Sequence, residues 1–183
     1  IAPGFVNIQV NGGGGVMLNN APSVDTIRTI CDAHAKFGTT ALLPTLITDT
    51  PEQTRAAIDA ALEACAQNVL GMTGLHLEGP HLARSRKGAH SAALIRPLEE
   101  EDCRTLEDLA KELPSLLVTL APESVTCKQV ERLTSAGVVV SLGHSDCTYE
   151  AAMAATASGA SCVTHLFNAM SQLTNREPGL VGA

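Results

Sequence analysis

The stretch Gly74-Leu75-His76-Leu77-Glu78-Gly79-Pro80 decides the fold. The run from about Leu70 to Glu78 reads as a buried strand, and Gly79-Pro80 stops it. A carboxylate ending a buried strand is costly unless something positive meets it. Two later strands end in a comparable way, at Ser141-Leu142-Gly143-His144-Ser145 and Val163-Thr164-His165-Leu166-Phe167-Asn168. One Glu and two His, each at a strand end, form a donor set suited to a catalytic zinc-type site with one position open. His76 lies on the same strand face as Glu78, two residues back; it is a further candidate ligand, but reads first as a core residue or a support for the ligands.

Upstream of this strand the chain alternates regularly. Phe5 to Asn11 is a first strand that places Asn7, Gln9 and Asn11 on one face and Val6, Ile8 and Val10 on the other. A row of amides suits either a site inside a barrel or a polar edge. The glycine run Gly12 to Gly15 follows; it lacks the Lys of a phosphate-binding loop, and no helix starts directly after it. Ser23 to Phe37 has helical spacing at Val24, Ile27, Ile30 and Cys31, with Gly38 as its stop and His34 as a structural or surface histidine. Ala41 to Thr45 reads as a short strand closed by Pro44. Thr50-Pro51-Glu52-Gln53 starts a helix running to about Asn68, with Thr50 as its cap.

Downstream, Gly79 to Pro97 leaves the pattern. It holds His81, Arg84, Arg86, Lys87 and His90, and a loop of this length is a candidate functional segment. Regularity returns with a helix at Glu99–Leu113 and a strand at Leu116–Leu120. A capped helix runs from Thr126 to Gly137, then a strand over Val138–Leu142, a helix over Thr148–Ser158 and a strand over Ser161–Thr164. Strands alternating with helices are the mark of parallel βα units in an α/β protein. A doubly wound sheet and a (βα)8 barrel both satisfy that alternation. The barrel is favoured because candidate functional residues end several different strands. A complete barrel takes about 250 residues, so 183 residues predict an incomplete TIM-like barrel of about six units.

The totals exclude several roles. Net charge is −7 and aromatics are 2% of residues, which argues against a nucleic-acid surface or base stacking. No apolar run approaches a membrane span, and no secretory signal is visible. The six cysteines contain no CxxC pair; they read as buried or half-buried thiols and suit a reducing cytoplasm.

Several segments together resemble one family. They are Pro3 to Gly12, Gly74 to Pro80, Lys87-Gly88-Ala89-His90, Val118 to Glu123, Ser141 to Ser145, His165 to Met170 and Arg176-Glu177-Pro178-Gly179. In this order they are similar to the N-acetylglucosamine-6-phosphate deacetylases of the amidohydrolase superfamily. The resemblance implies a metal-dependent hydrolase barrel spanning residues 1–183, with the last strands and a small β-sandwich outside the chain. It implies conversion of N-acetylglucosamine 6-phosphate to glucosamine 6-phosphate and acetate. Glu78, His144 and His165 would bind the metal. Ala89, His90, Asn168 and Ala169 would meet the sugar, with His90 polarising the acetyl carbonyl or binding a hydroxyl. Arg176 would bind the phosphate of its own or a neighbouring subunit's site, in a dimer or tetramer. A guanidinium fork suits a phosphate dianion.

Two departures qualify the resemblance. Many amidohydrolases carry His-x-His on the first strand for a second metal; here those positions hold Gln9 and Asn11. Neutral amides are poor ligands beside imidazole, so one divalent metal is expected, zinc first, with iron, cobalt or manganese also compatible. The family's general base, an Asp at the end of the last barrel strand, would lie beyond Ala183, so this chain alone is expected to be inactive. Alternatives are an epimeric substrate, N-acetylgalactosamine 6-phosphate, or a non-catalytic binding or regulatory relative on the same barrel.

Overall fold

Capping residues start the helices where the sequence places them. In a computed structural model describing residues 1–183, Ser23, Thr50, Thr126 and Thr148 each accept a hydrogen bond from the backbone N–H three residues on. These caps satisfy amides that a helix start leaves unpaired. The elements are β1 Phe5–Val10, β2 Gly12–Gly13, β3 Val16–Met17, α1 Val24–Ala35, β4 Thr39–Ile47, α2 Pro51–Ala66 and β5 Leu75–Glu78, then α3 Glu100–Glu112, β6 Leu116–Leu120, α4 Cys127–Ser135, β7 Val139–Leu142, α5 Tyr149–Ala157, β8 Cys162–Val163 and α6 Gly179–Gly182.

Two expected strand boundaries are corrected. The central strand is β5, beginning at Leu75 rather than Leu70, because Gly71 and Gly74 take φ of 86° and 147° and break the extended run. Conversely, Pro44 does not close its strand, and β4 continues to Ile47. Pro44 lies opposite Val10, where the β1–β4 ladder is irregular, and the Val10 amide donates instead to Thr45 Oγ1 at 2.8 Å. A missing N–H is tolerated at such an irregularity. The glycine run forms the small antiparallel hairpin β2–β3. Gly12 O accepts from His34 Nε2 at 3.1 Å, a structural role for that histidine. Of the six cysteines, Cys127 is exposed rather than buried or half-buried.

The strands β1-β4-β5-β6-β7-β8 form one six-stranded parallel sheet in that order. Each strand sits beside its predecessor, without the reversal that marks a doubly wound sheet. Thr119 on β6 and Thr164 just after β8 meet at 2.7 Å although β7 lies between their strands. Adjacent strands are about 4.8 Å apart, so the sheet curls and its inner face is concave. This is the larger part of a TIM-like barrel, open between β1 and β8.

Period-2 alternation divides the strands between the two faces. Leu75, Leu77, Leu116, Val118, Leu120, Val140 and Leu142 join helix residues such as Ile27, Ala57, Leu106 and Leu133 in one apolar core. The opposite positions carry a polar layer. Thr45 Oγ1 meets His76 Nδ1 at 3.2 Å, His76 Nε2 meets Thr119 Oγ1 at 2.7 Å, and Thr164 Oγ1 meets both Thr119 Oγ1 and Ser141 Oγ at 2.7 Å. His76 is fully buried, with both ring nitrogens against threonine hydroxyls of this layer. On β1 the apolar alternation faces outward: Val6 and Ile8 are exposed, while Val10 is buried.

Candidate metal centre

Three parallel strands deliver three side chains to one point. Glu78 is the last residue of β5, and His144 and His165 each lie two residues beyond β7 and β8. Glu78 Oε1 is 3.1 Å from His144 Nε2 and 3.1 Å from His165 Nε2, and the two nitrogens are 3.0 Å apart. Ligands at about 2.0–2.1 Å from a tetrahedral centre stand about 3.3 Å apart. The triangle therefore has the size of one face of a first-row metal's coordination shell.

Proton positions support the same reading. His144 Nδ1 lies 2.8 Å from Arg86 O, and His165 Nδ1 lies 3.1 Å from Asn168 O. A carbonyl only accepts, so both Nδ1 atoms carry the hydrogen. In the neutral rings both Nε2 lone pairs then face each other and the carboxylate. Three acceptors converge with no donor among them, which a cation resolves. Backbone carbonyls holding the far nitrogen are the usual support for a metal-bound histidine. Burial opposes charge on Glu78, but the facing imidazoles of His144 and His165 outweigh it and hold the carboxyl well below its usual range. The contact with Glu78 raises the His165 pKa.

His90 reaches the same place from the irregular loop. Its ring packs edge-on against His144 with centroids 4.3 Å apart. Glu78, His90 and His144 also form a fully buried trio whose donor atoms lie within 4.8 Å of one another. His90 nevertheless has the opposite tautomer. The Thr48 amide donates to its Nδ1 at 3.2 Å, with Thr48 Oγ1 at 2.7 Å. Nδ1 is therefore an acceptor, and Nε2 carries the hydrogen in the neutral ring. Burial lowers its pKa to about 4, so the ring stays neutral at neutral pH. His90 is thus a hydrogen-bond donor beside the triangle, whereas His165 supplies its third bare nitrogen.

Backbone strain marks the same place. His144, His165, Phe167 and Ala169 have φ of 47°, 34°, 76° and 50°. Such left-handed residues cluster at sites where the surroundings over-determine them. Gly79 is left-handed as well, and a Cβ there would lie 2.2 Å from Thr48 Oγ1.

The remaining expected residues lie on several segments of the chain. Ala89 precedes His90 on the exposed side of its loop, and Asn168 and Ala169 follow His165. Asn168 Nδ2 donates to His165 O at 3.3 Å. Arg176 is exposed on the segment before α6 and has no acidic partner. Its neighbour Glu177 accepts from the amides of Tyr149 and Gly179 at 2.9 and 3.0 Å, anchoring that segment to α5. Gln9 and Asn11 are half-buried at the end of β1. Sequence reasoning missed Thr48 and the part played by the Arg86 carbonyl: a backbone carbonyl or amide as partner leaves no side-chain signature.

The pattern of the amidohydrolase family matches residues 1–181. An N-acetylgalactosamine-6-phosphate deacetylase from Shewanella sp. (strain ANA-3) is 49% identical over 183 residues, 100% of this chain and 46% of the relative. The crystal structure of N-acetylglucosamine-6-phosphate deacetylase from Pasteurella multocida is 40% identical with a TM-score of 0.94, covering 99% of this chain and 48% of that one. A mutant of the Mycobacterium smegmatis N-acetyl-D-glucosamine-6-phosphate deacetylase, in complex with N-acetyl-D-glucosamine-6-phosphate, is 34% identical with a TM-score of 0.89, covering 98% and 46%. The chain thus spans about half the length of these relatives.

Proposed function

The chain belongs to the amidohydrolase family, and from that premise we propose that the protein is a metal-dependent deacetylase of an N-acetylhexosamine 6-phosphate. It would release acetate and the free amino-sugar phosphate. The observation that carries this is the acceptor triangle of Glu78, His144 and His165, with the His90 donor beside it. A divalent metal bound there, zinc first among the candidates, supplies the Lewis acidity that activates water for amide hydrolysis.

The chain's own residues take the remaining roles. Glu78, His144 and His165 hold the ion, with Nδ1 of each histidine tied back to a carbonyl. His90 directs Nε2–H at the acetyl oxygen and stabilises the charge that develops there. Ala89, Asn168 and Ala169 line the sugar. Arg176 receives the phosphate, within its own subunit or across an oligomer interface. Gln9 and Asn11 act by hydrogen bonding, in keeping with a single metal.

N-acetylglucosamine 6-phosphate is the substrate that the motifs suggest, whereas the 49% identical relative favours the galacto epimer. The test uses the full-length protein, stripped of metal and reloaded with one equivalent of Zn²⁺. Acetate release is followed from both phosphorylated epimers and from both unphosphorylated sugars. Turnover confined to phosphorylated sugars and restored by one equivalent is the expected result. The epimer ratio assigns the substrate. No turnover with zinc bound overturns the reading in favour of another amide or a binding protein.

A further inference from the structure

Glu123 takes no part in the triangle, yet its carboxylate closes on the turn that carries His144. It sits in the 3-10 turn Pro122–Ser124, one residue beyond β6. Glu123 Oε2 accepts from Ser145 Oγ at 2.7 Å, and Oε1 accepts from the Asp146 amide at 2.6 Å. Ser145 Oγ accepts in turn from the Cys147 amide at 3.1 Å. Both carboxylate oxygens thus fix the two residues that follow His144.

The turn needs fixing. His144 holds a left-handed φ of 47°, which a non-glycine side chain adopts only when its surroundings impose it. Its other restraints come from the opposite direction: Ala83 N donates to His144 O at 2.9 Å, and His144 Nδ1 donates to Arg86 O at 2.8 Å. Those hold the carbonyl and the ring from the irregular loop. The Glu123 carboxylate holds the outgoing backbone from β6, and the Arg86–Asp146 ion pair at 2.7 Å joins the two sides.

We infer that Glu123 is a positioning residue for the metal centre, setting the backbone of His144 so that its Nε2 meets the other two donor atoms. The inference rests on reading His144 as a metal ligand. Charged acceptors bonded to backbone N–H and hydroxyl groups are the stronger class of hydrogen bond. Loss of groups that orient metal ligands typically weakens metal binding by about 10–100-fold.

The test measures Zn²⁺ affinity of the full-length protein by chelator competition, alongside the melting temperature of the metal-free form. Glu123→Ala is expected to bind zinc about 10–100-fold more weakly. Glu123→Gln, which keeps one acceptor, should fall between Glu123→Ala and the unaltered protein. His144→Ala abolishes tight binding if the metal reading holds. Glu123→Ala with unchanged zinc affinity, whatever its melting temperature, overturns the inference alone and leaves the metal reading intact. If Glu123→Ala does not fold, the affinity of Glu123→Gln decides: a weakened site supports the role, and an unchanged one overturns it. Unaltered protein that binds no zinc overturns both.

Discussion

Three histidines within reach of one carboxylate divide their work by which nitrogen carries the proton. His144 and His165 give Nδ1–H to backbone carbonyls and turn bare Nε2 inward, whereas His90 receives the Thr48 amide at Nδ1. Two acceptor rings and one donor ring result, and the proposed split between metal binding and carbonyl polarisation rests on that division. His90→Asn tests it, because Asn Oδ1 keeps an acceptor for Thr48 and removes the inward donor. Its kcat should fall about 10²–10³-fold, the usual effect of losing an oxyanion donor, with zinc stoichiometry unchanged. Zinc loss from His90→Asn would instead make His90 a ligand. The convergence of Glu78, His144 and His165 was legible because each lies at or just beyond the end of a strand. The tautomers were not, since Arg86 O, Asn168 O and the Thr48 amide are backbone groups supplied by folding.

Between residues and barrel lies the polar layer on the inner strand face, where His76 links Thr45 to Thr119 and, through Thr164, reaches Ser141. The alternation on β5 was readable from Leu75-His76-Leu77-Glu78. The strand's true start was not, because Gly71 and Gly74 end the extended run by their left-handed geometry rather than by any loss of hydrophobicity. Burial lowers the His76 pKa from 6.5 to about 4. The folded state therefore binds this proton less readily than the unfolded state. Its stability contribution is fully present above pH 6.5 and is lost as pH falls towards the folded value of about 4. At pH 5 the loss amounts to about 2 kcal/mol. Urea unfolding of His76→Gln, which can still donate and accept, should lose about that much less stability between pH 7 and pH 5 than the unaltered protein. Equal losses would contradict a neutral buried His76. Gly79 is the hinge between this layer and the irregular loop. Gly79→Ala combines a left-handed φ of 83° with a Cβ 2.2 Å from Thr48 Oγ1, so a destabilisation of about 1–3 kcal/mol is expected in the same urea experiment.

At the scale of the whole molecule, sequential strand order and the meeting of Thr119 with Thr164 make a barrel that stands open between β1 and β8. Alternation of strands and helices made the α/β class legible, but only spatial order separates a curled sheet from a doubly wound one. The open flank leaves Phe5, Val6 and Ile8 exposed beside β1, and Val163, Leu166 and Phe167 exposed at β8. Unpaired strand edges with apolar side chains invite association. The carboxylates beyond the C-terminal ends of the strands are also committed. Glu78 meets the two histidines. Asp49 accepts from Asn19 and from the Thr50 amide. Glu123 holds the Ser145–Asp146 turn, and Asp146 pairs with Arg86. His90 faces inward as a donor, so none of these groups is free to take a proton from water and pass it to the leaving amine, as amide hydrolysis requires. Residues 1–183 expressed alone should therefore release no acetate with zinc supplied, and should elute as oligomers on size exclusion. The full-length protein, assayed in parallel, should turn over. Zinc-dependent turnover by the 183-residue chain would show that one of these committed groups serves as the base. Glu123 would then be examined first, by the loss of that turnover in Glu123→Gln at saturating zinc.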